Sequence, residues 1–299
     1  MPVTPSPLRY PGGKTSLQGL TTQILTDNSL RRGTYAEPFA GGAGLALSLL
    51  FRGDVRRLVL NDLDPAIWAF WNAVLTETEA FARMIEAADI SMSTWQMHRD
   101  VITHQDDVSP VDLAFSTLFL NRTNRSGVIL GGVIGGKDQT GPYKLDCRFN
   151  RDDLAAKVRR IGRYRTSIDL HRKDGRQFLT DIDAACDGVF FFIDPPYFHK
   201  GSGLYANSLE YKDHEMLAAT VTGLRNPWVL TYDWTPEIRD LYGDFDHHQF
   251  DINYSASVKR VGQELLVGSR GLHVRHALEG RGFDRDDKAQ RRLARAAAS

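Results

Sequence analysis

Asp194, Pro195, Pro196 and Tyr197 put a carboxylate, a fixed carbonyl and an aromatic ring on one short turn. Such a set can hold an amine. The exocyclic amino group of a planar base offers two N–H donors and a π face. The Asp194 carboxylate and the Pro195 carbonyl can accept the two hydrogens while Tyr197 stacks on the ring. Accepting both hydrogens favours a pyramidal nitrogen with a localised lone pair, so the nitrogen becomes a better nucleophile as it attacks. A plainer reading is a strand end followed by a proline turn, with Asp194 capping a helix.

The elements around the turn must place it. The four apolar residues Phe190 to Ile193 make too short a run for a helix core and predict a strand buried on both faces, as in a parallel sheet. Neither proline can donate a ladder hydrogen bond, and each holds the residue before it extended. Asp194 therefore falls at the carboxyl end of the strand, where open α/β sheets bind ligands.

A second constellation precedes it. From Thr34 to Leu50 a short strand runs into Phe39, Gly41, Gly42 and Gly44, then into an Ala/Leu-rich helix, a turn able to present backbone N–H groups at a helix N-terminus. A further apolar strand, within Arg57 to Asp64, ends in the acids Asp62 and Asp64. That is about 20 residues on, where the acid of a nucleoside-binding βαβ unit grips ribose hydroxyls. Asp62 is the better ribose candidate; either acid could instead cap the helix that starts near Pro65. The FxGGxG spacing differs from a dinucleotide fingerprint and occurs in one such unit, which implies a mononucleoside cofactor. Asp174, at another strand end, could accept from that cofactor's adenine amino group, or cap a helix.

Near the N-terminus, PLRYPGGK has a glycine turn and a lysine but Leu8 where a phosphate-loop motif requires glycine, so a nucleoside triphosphatase is rejected. Gly12 and Gly13 instead let backbone approach a ligand, with Tyr10 and Lys14 beside it, or they begin a helix.

In a chain of 299 residues, 37 Lys and Arg balance 37 Asp and Glu, so a nucleic-acid partner must be held by local charge. Asn121 to Arg176 supplies it, with 14 basic against 6 acidic residues. The overlapping stretch Leu120 to Asn150 predicts hairpins and loops. Arg122, Asn124, Arg125, Lys137 and Arg148 are the DNA-contact candidates, and a solvated loop with a basic helix face is the alternative. Ala66 to Leu120 is helical in pattern, with Trp68, Phe70 and Trp71 read as core. His98 and His104 lack companions at ligand spacing, and no metal is expected. Cys147 and Cys186 lie outside any CxxC spacing, as in a reducing compartment. No stretch reads as a secretory signal or a bilayer span, so a soluble, cytoplasmic protein without membrane or obligate protein partners is expected.

In this order, PLRYPGGK, EPFAGGAG, NDLDP, LNRTNRSG, DPPY and the YSAS…ELLV ending resemble the Dam-type, or D12, class of DNA adenine-N6 methyltransferases across nearly the whole chain. The resemblance implies S-adenosylmethionine as cofactor, bound around Tyr10, Lys14, Asp62 and Asp194; the glycine turn and the strand ends read above add Phe39, Gly41, Gly44 and Asp174 as cofactor-contact candidates. It implies DPPY as the catalytic motif and double-stranded DNA as substrate. The expected fold is α/β: a Rossmann-like methyltransferase sheet, mostly parallel with an antiparallel closing strand, plus an inserted helical and hairpin target-recognition domain. The expected domains are 1–75 with 165–282 for methyl transfer, 76–164 for target recognition, and a basic tail at 283–299. The insertion departs from that of GATC-modifying members, so the chemistry carries over more safely than the target site. An N4-cytosine methyltransferase and a catalytically silent DNA-binding module remain as alternatives.

Overall fold

A computed structural model of the chain describes residues 4–10, 13–198, 210–254 and 260–279. Gly12, the YSAS residues after Tyr254 and the basic tail lie outside them. Seven strands form a sheet in the order β3-β2-β1-β4-β5-β7-β6. They are β1 (Thr34–Glu37), β2 (Arg57–Asn61), β3 (Ile168–His171), β4 (Val189–Ile193), β5 (Trp228–Asp233), β6 (His247–Tyr254) and β7 (Arg260–Gly268). The expected Rossmann-like sheet, mostly parallel with an antiparallel closure, is present.

The contacts divide the chain into two compact units: residues 1–15, 40–48 and 58–174 in one, residues 16–39, 49–57 and 175–299 in the other. In the second unit, β1, β4 and β5 run parallel, with Tyr35 beside Phe190 and Ile193 beside Leu230. All five residues of β4 are buried, as its unbroken apolar run requires. β7 returns antiparallel to β5 and places Glu264 opposite Asp233, and β6 pairs antiparallel with β7. β1 and β4 are parallel neighbours although β2, β3 and the helices between them intervene in sequence. The strand order thus reverses there, and ligands of open α/β sheets bind outside the carboxyl ends at such a reversal.

In the first unit β2 and β3 are parallel, Leu58 beside Ile168. Between them come α3 (Pro65–Thr76), α4 (Thr78–Glu86), α5 (Met92–Thr103), α6 (Pro110–Thr123) and α7 (Arg151–Gly162). Asp64 caps α3, its carboxylate accepting from Ala66 N–H at 2.8 Å. Ser91 and Ser109 cap α5 and α6 in the same way. Every residue of α6 from Leu113 to Thr123 is buried, so it is the central helix of this unit and not an amphipathic surface one. His98 is a packed histidine, its Nδ1 2.8 Å from the Ser116 hydroxyl and its ring 4.4 Å from that of Phe119. On α7, Arg159 is paired with Glu79 and Glu86, which quenches part of the basic face read from the sequence.

The hairpins expected over 120–150 shrink to one antiparallel bridge, Asn124 with Val133, closed by Arg125 N–H to Gly132 O and Ile134 N–H to Thr123 O. The apolar stretches there are two or three residues long. Left-handed backbone at Ser126, Gly127, Gly135, Gly136 and Gln139 turns the chain before a ladder can extend.

Candidate active site

Each unit carries part of the sequence-predicted site at the carboxyl ends of its strands. In the first unit, Ala40 to Ala43 form a tight turn leading into α2 (Gly44–Arg52). Gly41 has φ +46°, and a Cβ on it would lie 2.7 Å from the Tyr10 ring, so the turn requires both the left-handed conformation and the bare face that glycine gives. Ala43 adopts φ +45° without that freedom, backbone strain of the kind that collects at functional sites. Three side chains fix the turn. Asp62 accepts from Gly41 N–H at 2.8 Å, the Trp71 indole donates to Gly41 O at 2.8 Å, and Tyr10 covers its face.

Asp62 stands directly after β2. Its Oδ1 also accepts from Asp64 N–H at 3.0 Å, so Asp62 holds the turn while Asp64 caps the helix. Asp62 is partly accessible to solvent yet deep among protein atoms. Burial raises its pKa to about 7, against the two N–H donors that stabilise the charge. Asn61, fully buried, exchanges hydrogen bonds with the backbone of Lys173 and so fixes the loop carrying Asp174. Asp174 itself is exposed. Lys14 is 6 % exposed, and Gly44 opens α2 beneath the Thr15 hydroxyl.

Trp71 is core, as its setting in the sequence predicts, and it also holds the glycine turn. Trp71→Phe is expected to leave Gly41 O without its donor, to destabilise the protein by about 1–2 kcal/mol, and to weaken the binding of a ligand on the turn. Thermal melts with and without S-adenosylmethionine would show both effects.

In the second unit, Asp194 follows β4 and is half-buried. The Thr231 hydroxyl of β5 donates to its Oδ1 at 2.8 Å. Its charge helps to raise the pKa of the Tyr35 and Tyr232 phenols, behind the larger effect of their burial. Pro195 is buried and Pro196 half-buried. Phe198 N–H donates to Asp233 Oδ1 at 3.3 Å, and the Tyr197 hydroxyl donates to Glu264 Oε1 at 2.6 Å. Tyr197 is 6 % exposed, so a base could stack only on the narrow strip of its ring that remains open. Phe39 lies after β1, its ring against Gly175 at the start of α8 (Gly175–Ala185), where a Cβ would come within 2.6 Å. An open groove of about 790 Å³ lies elsewhere, lined by Arg225, Asn226 and Tyr242 at the amino end of β5, away from DPPY.

Thr231, Asp233 and Glu264 hold the DPPY turn, and Thr231 and Glu264 carry no signal for this in the sequence. The DNA-contact candidates divide. Arg125, Lys137 and Arg148 are exposed. Asn124 is fully buried, its amide donating to Val128 O and Ile129 O while its oxygen accepts from the Trp95 indole at 2.7 Å. Arg122 is turned inward, donating from Nε to Pro7 O at 2.6 Å, and burial lowers its pKa to about 10. Both stand at the end of the enclosed helix α6, so their side chains tie the fold together in place of meeting DNA.

The profile of the D12 class N6 adenine-specific DNA methyltransferases matches residues 10–256. The chain belongs to that family. Its chemistry is methyl transfer to adenine N6 in DNA, which takes the adenine reading over the N4-cytosine one. This D12 methyltransferase is also similar to the Type II methyltransferase M.CviBI of Paramecium bursaria Chlorella virus NC1A, 24% identical over 263 residues covering 86% of this chain and 95% of that protein. Among solved structures it is similar to a proposed RNA methyltransferase of Pyrococcus horikoshii, with TM-score 0.41 and 8% identity, covering 87% of this chain and 84% of the other. Another is the rRNA methyltransferase aviRa of Streptomyces viridochromogenes, with TM-score 0.38 and 14% identity, covering 91% and 89%. The fold assignment rests on the strand order and not on these scores. Among the described residues no helix is long and apolar enough to cross a membrane, and no three potential metal ligands gather.

Proposed function

We propose that this methyltransferase works on adenine flipped out of double-stranded DNA, with Asp194 and the Pro195 carbonyl holding the amino hydrogens and Tyr197 against the base. The observation that carries this is Asp194 at the carboxyl end of β4, beside the reversal in strand order, with one oxygen already fixed by Thr231. A carboxylate oriented before the substrate arrives costs no reorganisation when the amine gains charge.

The first unit fits S-adenosylmethionine. Its glycine turn has a face that a Cβ would fill, and beside it Asp62, whose burial raises its pKa to about 7, can ionise near neutral pH and accept from ribose hydroxyls. Tyr10, Lys14, Gly44 and Asp174 are proposed as further contacts to it. When bound, this cofactor would supply a methyl group on a sulfonium, to which the N6 lone pair could bond while the C–S electron pair leaves with sulphur. Asp194 then faces a cationic amine. It need not be a strong base, because the proton leaves after the bond has formed and the carboxylate can pass it to water. Alignment of two bound reactants accounts for much of the rate.

Incubating the protein with duplex DNA and methyl-labelled cofactor, then identifying the labelled nucleoside, tests this reading. N6-methyl-2′-deoxyadenosine at one recurring sequence supports it. Salt-dependent DNA binding without label in any nucleoside would reveal a silent module instead.

Arg125, Lys137 and Arg148 are proposed as phosphate contacts. Arg125→Ala is expected to weaken DNA binding about equally on all sequences, reduce the slope of log affinity against log salt by about 1, and leave cofactor binding unchanged. Asn124→Ala is expected to behave differently, lowering thermal stability by about 1–3 kcal/mol because the Trp95 indole loses its acceptor. DNA titrations at several salt concentrations, with melts of both variants, separate the two roles.

A further inference from the structure

We propose that Glu264 is a positioning residue for methyl transfer, fixing the Tyr197 ring and enriching its π face with electrons. This rests on the reading above, in which Tyr197 lies against the reacting adenine. Glu264 is fully buried on β7, opposite Asp233 of β5. A carboxyl group so enclosed is costly unless its hydrogen bonds are good. Its Oε1 accepts from the Tyr197 hydroxyl at 2.6 Å, a distance at the short end for O–H···O bonds and within the range of charge-assisted ones.

The bond belongs to a larger brace. Thr231 holds the Asp194 carboxylate, Asp233 accepts from Phe198 N–H, and Glu264 holds the Tyr197 hydroxyl. Thr231 and Asp233 share one side of β5, two residues apart, and Glu264 is the cross-strand partner of Asp233. Two strands thus grip the catalytic turn at its first residue, its ring and its exit. Asp194 and Tyr197 cannot shift relative to one another without breaking buried hydrogen bonds.

The charge matters as well as the anchor. A phenol that donates to a carboxylate pushes electron density into its ring, and a more negative π face attracts a cation better. Adenine N6 is neutral in the bound substrate and becomes positive as its lone pair forms the bond to the methyl carbon. The attraction therefore grows along the reaction and raises kcat more than it tightens ground-state binding.

Glu264→Gln preserves size and a carbonyl acceptor but removes the charge. It is expected to lower kcat about tenfold while KM for DNA and for cofactor stays within about twofold. Tyr197→Phe removes the donor and should cost a similar factor. Because both act through one bond, the double variant should be no slower than Tyr197→Phe alone. Multiplying effects in the double variant would overturn the proposal, as would a KM rise with unchanged kcat or an altered melting temperature with normal turnover. Should Glu264→Gln fail to fold, Tyr197→Phe decides alone: unchanged kcat overturns the proposal. A wild-type protein that methylates no adenine would sink the underlying mechanism; normal turnover in Glu264→Gln, with Asp194→Ala inactive, sinks only the role given to Glu264.

Discussion

Asp194→Ala is expected to lower methyl transfer about a thousandfold, below detection in an ordinary labelling assay, while DNA and cofactor affinity change only a few fold. The size follows from what the side chain does. In the proposed mechanism it accepts one amino hydrogen of the base and faces the positive charge that develops on N6, and both contributions are largest in the transition state. Thr231 donates to one carboxylate oxygen, so the group is held in place before the base arrives. Alanine removes acceptor and charge together and leaves the buried Thr231 hydroxyl without this acceptor. Asp194→Asn keeps an oxygen for Thr231 and loses the charge, so its rate should fall between the two. Single-turnover rates with saturating DNA and cofactor measure the chemical step directly. Turnover near the wild-type rate in Asp194→Ala would remove Asp194 from the mechanism.

The position of Asp194 was legible because it depends on its neighbours in the chain: an apolar run sets the strand and two prolines end it. The same local logic located the glycine turn and the acids after β2. It could not assign those acids, since a cap and a ligand-facing carboxylate look alike in sequence. The hydrogen bonds that give Asp64 to α3 and Asp62 to Gly41 separate them. Thr231 and Glu264 escaped notice because each meets its partner across the sheet, far away along the chain. Asn124 and Arg122 misled for a related reason. Composition marks them as suited to DNA, whereas their burial comes from the enclosure of α6 on all sides, and no residue periodicity reports that. The hairpins over 120–150 were overdrawn because alternation was counted where glycines and left-handed turns interrupt it.

Asp62→Ala is expected to weaken binding of S-adenosylmethionine at least about a hundredfold, because it removes two things at once: the acceptor proposed for the ribose hydroxyls and the brace on Gly41. The wild-type protein should also reveal this acid through pH. Burial holds the folded pKa near 7, above that of a carboxylate in the unfolded chain. The native state then keeps its proton longer than the unfolded state. The cofactor-free protein should therefore lose stability as pH rises from about 4 to about 7, the reverse of a salt-bridged aspartate. Cofactor binding should run the other way. Ribose hydroxyls donate to the ionised carboxylate, so affinity rises through pH 7 and is about tenfold weaker at pH 6 than at pH 8. Titration calorimetry across that range, repeated in two buffers of different ionisation enthalpy, should show a proton released on binding at pH 6 and almost none at pH 8. The hundredfold loss in Asp62→Ala should come with a flat pH profile. Binding that falls in Asp62→Ala but keeps the wild-type pH dependence would mean that a different group carries the proton and that Asp62 serves the turn alone.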